Sequence, residues 1–334
     1  MRRLTVALNT RYMGMELRNP IIVGSSPLTS SLDSLKKCED AGAGAVVIKS
    51  LFEESVLAAI RTADVLGTGS PHVEAGPAIA ATMGERHVDA YLTLVSKARE
   101  SLEIPVIASI NCTSTQGWLS YAQRFVQAGA SALELNQYIV ASDSSLSSAY
   151  IEQMYIKTAQ EVRSAFKIPV AMKLGYAFTS PGNLFEKLGA SGVDALVLFN
   201  RFFRQDIDID ALEPLTPPPA GPGHDYLDAL RWTALLSGRI PCDICASTGI
   251  MDGRTVIKQL LAGAKAVQVV SALMVNGIET LTLMLQALSQ WMEEHDFESL
   301  DAFRGMFAYK PTIENIMTWE RAQYISAVGN EFHK

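Results

Sequence analysis

The chain has 334 residues, is 48% apolar and 19% charged, and carries a formal charge of −7; its sequence pI is near 5.3. That balance lacks the basic footprint needed for nucleic acid or anionic lipid, and no apolar run is long enough to span a bilayer. Four cysteines in such a length do not make a disulfide framework, so a soluble, cytoplasmic protein with a small-molecule ligand is expected.

One domain over 1–334 is the expectation, because no low-complexity or strongly charged segment divides the chain. The opening MRRLTVALNTRYMGMEL lacks the apolar centre of a secretory signal. The first strand follows as IIVG at 21–24, and SLDSLKKCEDAG then reads as an amphipathic helix. A second strand at 45–48 ends in Lys49 and Ser50 and leads into a long segment, 51–84, expected as a loop. ERHVDAYLTLVSKARESL, TQGWLSYAQRFVQAG and SAYIEQMYIKTAQEVRSAF are further covering helices, set between strands at 106–109, 132–135 and 170–173. Strands at 195–198, 242–245 and 266–269 complete a set of eight. Another long segment, 200–224, contains the proline-rich LEPLTPPPAGPG and reads as a loop rather than a linker. Residues 273–334 read as the last barrel helix and an appended helical tail.

Two phrases recur along this series. Ile-Pro-apolar returns as IPVIAS, IPVAMK and IPCDIC, each at a strand start, and a Gly-Ala phrase returns as AGAGAVVIKS, AGASALELN, LGASGVDALVLFN and AGAKAVQVV, each where a helix passes into a strand. Eight continuously apolar strands alternating with helices predict a parallel sheet closed as a (β/α)8 TIM barrel. An open doubly wound sheet would show a Gly-rich dinucleotide loop after its first strand, and that loop is absent. In a barrel, both long loops fall on the C-terminal face, where active sites are built.

Every strand stops in polar residues: Ser25 and Ser26, Lys49 and Ser50, Ser109 and Asn111, Asn136, Lys173, Asn200, Thr248 and Gly249, then Ser271. Taken singly, such residues often cap a helix or reach solvent. Together they face one ring, and buried unpaired ammonium groups would be costly, so they should converge on an anionic or electron-rich ligand. Thr248–Gly249 and Ser271–Ala272 are expected at turns opening helices, where backbone N–H groups cradle a phosphate. Cys242 and Cys245 form a C-x-x-C with no second pair or nearby histidine; they are expected to be buried structural residues, and no metal is expected.

These residues resemble the dihydroorotate dehydrogenase family over nearly the whole chain: NPIIVGSS, IKS at 48–50, ELN at 134–136, MKL at 172–174, FN at 199–200, STGI at 247–250 and QVVSAL at 268–273. The resemblance implies FMN across the barrel mouth, contacted by Ser25, Lys49, Ser50, Asn136, Lys173, Gly249, Ser271 and Ala272, with Ser109 or Asn111 joining them; the phosphate-cradle turn adds Thr248. Lys173 suits the negative charge that develops on a reduced flavin, and Lys49 suits flavin or a substrate carboxylate. Asn136 and Asn200 suit the amide edge of a pyrimidine. The implied activity is oxidation of dihydroorotate to orotate in pyrimidine biosynthesis, with a soluble electron acceptor and a homodimer.

Two departures qualify this. The family continues its Glu-Leu-Asn into a loop with a cysteine or serine base, whereas here the run is ELNQYIVASD and Ile139 occupies the base position. Oxidising a CH–CH bond requires a proton acceptor, and Ser142 is taken as the substitute, with Asp143, Ser144 and Ser145 on the same loop and Tyr138, Ser114, Thr115 and His72 on others. The stretch GTGSPHVEAGPAIA also lacks the family's Asn-rich substrate motif. An FMN-binding paralogue with a different or no redox substrate therefore stands as an alternative. A phosphate-binding aldolase or isomerase barrel with Lys49 or Lys173 as Schiff-base amine is a second.

Overall fold

A computed structural model describes residues 6–56, 76–112, 114–201, 206–215, 225–312 and 316–321. The chain begins with a hairpin of β1 (Thr10–Tyr12) and β2 (Met15–Leu17). Its two-residue turn has Met13 at φ 51 and Gly14 at φ 74, the positive angles that match the twist of the flanking strands.

Eight parallel strands then form the barrel. They are β3 (Ile21–Val23), β4 (Ala45–Val47), β6 (Val106–Asn111), β7 (Ala132–Asn136), β8 (Val170–Leu174), β9 (Ala195–Leu198), β12 (Asp243–Ser247) and β13 (Ala266–Val269). The sheet runs β4-β3-β13-β12-β9-β8-β7-β6, and pairing of β4 with β6 closes it. A short β5 (Leu51–Phe52) extends the second strand against the end of β6. All eight expected strands are present, each within two residues of its expected bounds.

The recurring phrases have local causes. Pro105, Pro169 and Pro241 stand just before β6, β8 and β12, where a missing N–H costs no ladder bond. Gly263 caps the helix Gly253–Ala262 at φ 112, and Gly42, Gly129 and Gly192 hold the same left-handed position after other helices.

Period two along the strands sorts their side chains. Ile22, Ala45, Val47, Ile107, Ala132, Ala171, Ala195, Val197, Cys245 and Ala266 form an inner cluster with Tyr12, Met13 and Leu17 of the hairpin. The hairpin thus plugs the barrel floor, and the ring of alanines leaves room for the Tyr12 ring. Asp243 locks it by accepting the Met13 N–H at 2.8 Å. Residues of the opposite parity pack against the helices in a second, larger cluster.

Some expectations change. The segment 51–84 is not all loop, since the helix Gly76–Ser101 begins within it; residues 57–75 lie outside the described residues. Within 200–224, β10 (Asp206–Asp208) and β11 (Glu213–Leu215) form an antiparallel hairpin, and an ion pair of Arg201 with Asp225 at 3.8 Å ties together the ends of the excursion. After the helix Thr280–Glu294 the described residues hold a 3-10 helix, Leu300–Ala302, and a short π-helix, Ile316–Glu320; the rest of the expected tail, 313–315 and 322–334, lies outside the described residues. Cys242 is half-buried rather than buried; all four cysteines are unbridged, and Cys245 faces the barrel interior while Cys242 packs outside it.

Candidate active site

Above the apolar floor, the same inward parity turns polar. On β7 it runs Ala132, Glu134, Asn136; on β8, Ala171, Lys173; on β13, Ala266, Gln268. Asn136 and Lys173 are paired across β7 and β8, so the amide and the ammonium stand side by side. Both are buried, at 8% and 6% exposure. Asn200, just past β9, donates from Nδ2 to Asn136 Oδ1 at 2.8 Å. Lys173 Nζ donates to Gln268 Oε1 at 2.9 Å, and Gln268 Nε2 donates to Glu134 Oε2.

On the opposite wall a hydroxyl chain crosses three strand ends. Ser25 and Ser50 Oγ atoms lie 3.0 Å apart, Ser50 and Ser109 Oγ atoms 2.7 Å apart, and Ser50 N–H donates to Ser25 Oγ at 2.8 Å. Tyr91 fixes this wall from the helix behind it: its hydroxyl donates to Ser109 O and accepts from Ser109 N–H, both at 3.0 Å. Burial, ahead of the charge of Glu134, keeps that phenol protonated. Asn111 ends β6 half-buried. Lys49 is exposed beside this wall, its own N–H donating to Thr29 O.

Thr248 and Gly249 are brought to the same face, but not as a helix opening. Both have positive φ, 78 and 72, and the helix begins only at Gly253, where Asp252 caps it by accepting from Thr255 N–H. Thr248 Oγ1 instead donates to Phe199 O at 2.7 Å, joining β12 to the end of β9. A Cβ on Gly249 would lie 2.3 Å from Tyr226 N, so only glycine fits. Ser271 and Ala272 do open a helix, Ser271–Asn276, with Ala272 fully buried.

The proposed substitutes for the base fare differently. Ser142 is exposed, with its N–H on Val140 O, outside the buried network. Asp143 accepts from the Ser145 N–H and hydroxyl, which hold its carboxyl below the ordinary range and make it a poor proton acceptor. Ser144 is likewise exposed, and Ser114 caps a helix while bonding Glu53. Thr115 begins that helix, and His72 lies outside the described residues. Ile139 is half-buried against the core, its N–H on the Tyr155 hydroxyl at 3.1 Å. Tyr138 shares a cavity of about 170 Å³ with Ile139, Tyr155 and Phe178. Burial, then Tyr176, raises the Tyr138 phenol above its usual value.

Sequence reading missed Glu134, Gln268 and Tyr91. The first two were legible in principle, since Glu134 is two residues before Asn136 and therefore on the same face of the strand. Gly24 belongs with them: a Cβ there would lie 2.9 Å from Val270 Cγ2 and 3.1 Å from Gln268 Oε1.

A closed parallel barrel with a buried cation, paired amides and a hydroxyl chain gathered toward its C-terminal mouth places these polar groups where barrel enzymes build their active sites. The dihydroorotate dehydrogenase family model matches residues 7–292, and the chain belongs to that family of oxidoreductases, whose enzymes are flavoproteins. It is 27% identical over 306 residues to the dihydroorotate dehydrogenase B (NAD(+)) catalytic subunit of Methanothermobacter thermautotrophicus, covering 90% of this chain and 98% of that protein. It is 26% identical to the putative dihydroorotate dehydrogenase A (fumarate) of Aeropyrum pernix, covering 89% and 96%. The corresponding B-type catalytic subunit of Pyrococcus furiosus is also 26% identical, covering 90% and 99%. No helix among the described residues is long and apolar enough to cross a membrane.

Proposed function

We propose that this chain binds FMN across the barrel mouth and acts on a CH–CH bond of a pyrimidine-like substrate, as in the oxidation of dihydroorotate to orotate. The observation that carries the reading is the buried ammonium of Lys173, in register with Asn136 and held by Gln268. The donor set fits the group. An ammonium can meet the edge of the isoalloxazine where negative charge develops. Ser25, Ser50, Ser109 and Asn111 supply hydroxyl and amide partners along the facing wall, and the turn at Thr248–Gly249 with Ser271–Ala272 supplies backbone N–H groups for the phosphate.

When bound, FMN supplies the two-electron acceptor. The chain's own residues bind and orient: Asn136 and Asn200 hold the amide edge of the substrate, and exposed Lys49 meets its carboxylate. Family membership favours this over Schiff-base chemistry at either lysine. The same reading includes a soluble electron acceptor, a homodimer and a cytoplasmic location. The relatives' designation as NAD(+)-linked catalytic subunits directs the search for an acceptor toward a partner subunit.

Ile139 favours a second reading, an FMN-binding paralogue with another redox substrate or none, because an isoleucine accepts no proton and Ser142 stands outside the buried network. An anaerobic absorbance titration decides between them. A flavin band that bleaches on adding dihydroorotate is the expected result. A band that persists leaves the second reading, and a protein that takes up no flavin on reconstitution overturns both.

A further inference from the structure

The middle layer of the barrel is a polar crossbar. Gln268 sits on β13, four strands round the closed sheet from β7, and so spans the lumen to reach Glu134 on the far wall and Lys173 beside it. Exposure is 1% for Glu134, 2% for Gln268 and 6% for Lys173. Barrel interiors are ordinarily filled by packed apolar side chains, and carrying a carboxylate, an amide and an ammonium there costs desolvation. Gly24 leaves room for it, since a Cβ at that position would lie 3.1 Å from Gln268 Oε1 and 2.9 Å from Val270 Cγ2.

The order of the three groups matters more than their burial. Opposite charges flank one amide, and its two ends are oriented by them, oxygen toward Lys173 and nitrogen toward Glu134. Carboxylate and ammonium are therefore kept from direct contact. Lys173 spends one of its three donors on Gln268, while Oε1 of Glu134 is buried without a hydrogen-bond partner. A direct ion pair would instead draw the ammonium down into the lumen. The two charges reach their surroundings in opposite senses: the Cys245 thiol is pushed up first by burial and then by Glu134, and drawn back by Lys173.

We propose that Glu134 and Gln268 are positioning residues for Lys173: Glu134 supplies the counter-charge that makes a buried ammonium tolerable, and Gln268 is the spacer that keeps it facing the ligand at the mouth. Neither touches the reacting atoms. The proposal rests on the FMN reading above, and it predicts that both residues set the reduction potential of the bound flavin, with opposite signs.

The test is a set of midpoint potentials, measured by anaerobic dye equilibration on the FMN-loaded protein and on three near-isosteric variants. Glu134→Gln removes a negative charge near the ring, and the equilibrium constant for two-electron reduction rises about tenfold, equivalent to about 30 mV. Gln268→Met removes the spacer, Lys173 turns toward Glu134, and the potential falls by a similar step. In the double variant there is no carboxylate to turn toward, so the fall caused by Gln268→Met disappears. Such non-additivity, with opposite signs in the two single variants and loss of the fall once the carboxylate is gone, measures coupling through the charge of Glu134. Potentials within a few millivolts of the parent in all variants, or additive shifts, overturn the proposal while leaving the FMN reading intact. Failure of the unmodified protein to take up flavin overturns that reading first. If one single variant does not fold, the sign of the other still decides: a fall for Glu134→Gln, or a rise for Gln268→Met, is incompatible with the proposed roles.

Discussion

The floor of this barrel and the polar layer beneath its mouth are built by the same strands at the same parity, two residues apart. At the floor, Ala132, Ala171 and Ala266 face a tyrosine plug; one step up, Glu134, Lys173 and Gln268 face one another. The lower layer gains from removal of apolar surface and tight packing, contributions that depend on volume. The upper layer carries charge out of water and keeps it hydrogen-bonded, which favours a specific arrangement over maximal stability. Changes at the floor should therefore be read in folding, and changes at the mouth in ligand binding and turnover.

The largest effect is expected at the plug. Tyr12→Ala empties the space framed by the alanine ring and should cost about 3–5 kcal/mol, seen as a lower midpoint in urea with no change in the spectrum of bound flavin. A changed flavin spectrum would mean that floor and mouth are not separable. Lys173→Met, in the polar layer, is expected to lower the turnover rate by about 10²–10³, the usual loss for one preorganised electrostatic donor, and to cost stability as well, because the Glu134 carboxylate is left buried without its counter-charge. Between the layers, Gly24→Ala presses on Gln268 and Val270 and should destabilise by about 1–3 kcal/mol, while also weakening flavin retention. Asn200→Ala leaves Asn136 Oδ1 without its donor; a cost of about 1 kcal/mol corresponds to a roughly fivefold rise in KM at unchanged melting temperature. Ser142→Ala should change stability by less than about 0.5 kcal/mol and leave turnover unaltered, because the residue is exposed outside the network. A large loss of rate in that variant would restore Ser142 as the proton acceptor.

The polar strand ends were legible, and most of them do converge. Ser25, Ser50 and Ser109 touch, Asn136 meets Asn200, and Lys173 is buried beside them. The assignments that shifted were those made from local pattern alone. STGIMDG looks like a turn entering a helix, yet Asp252 supplies a better N-cap four residues after Thr248 and delays the helix to Gly253. Ser142 looked available because it follows the strand, but proximity in sequence says nothing about which way a loop turns once Ile139 is drawn toward the core. Tyr91 lies 18 positions from Ser109 on a different element, and no periodicity connects them.

The sequence by itself determined the eight-strand parallel barrel, its helix-to-strand glycine turns, and the polar character of one end. These follow from hydrophobic period and backbone conformational preference, which act over a few residues. Only the tertiary structure decided that the N-terminal hairpin fills the floor, that Gln268 crosses the lumen to Glu134 and Lys173, and that three serines form one chain. Those contacts join strands far apart in sequence, and closure of the sheet, which no local preference encodes, is what brings them within hydrogen-bond reach.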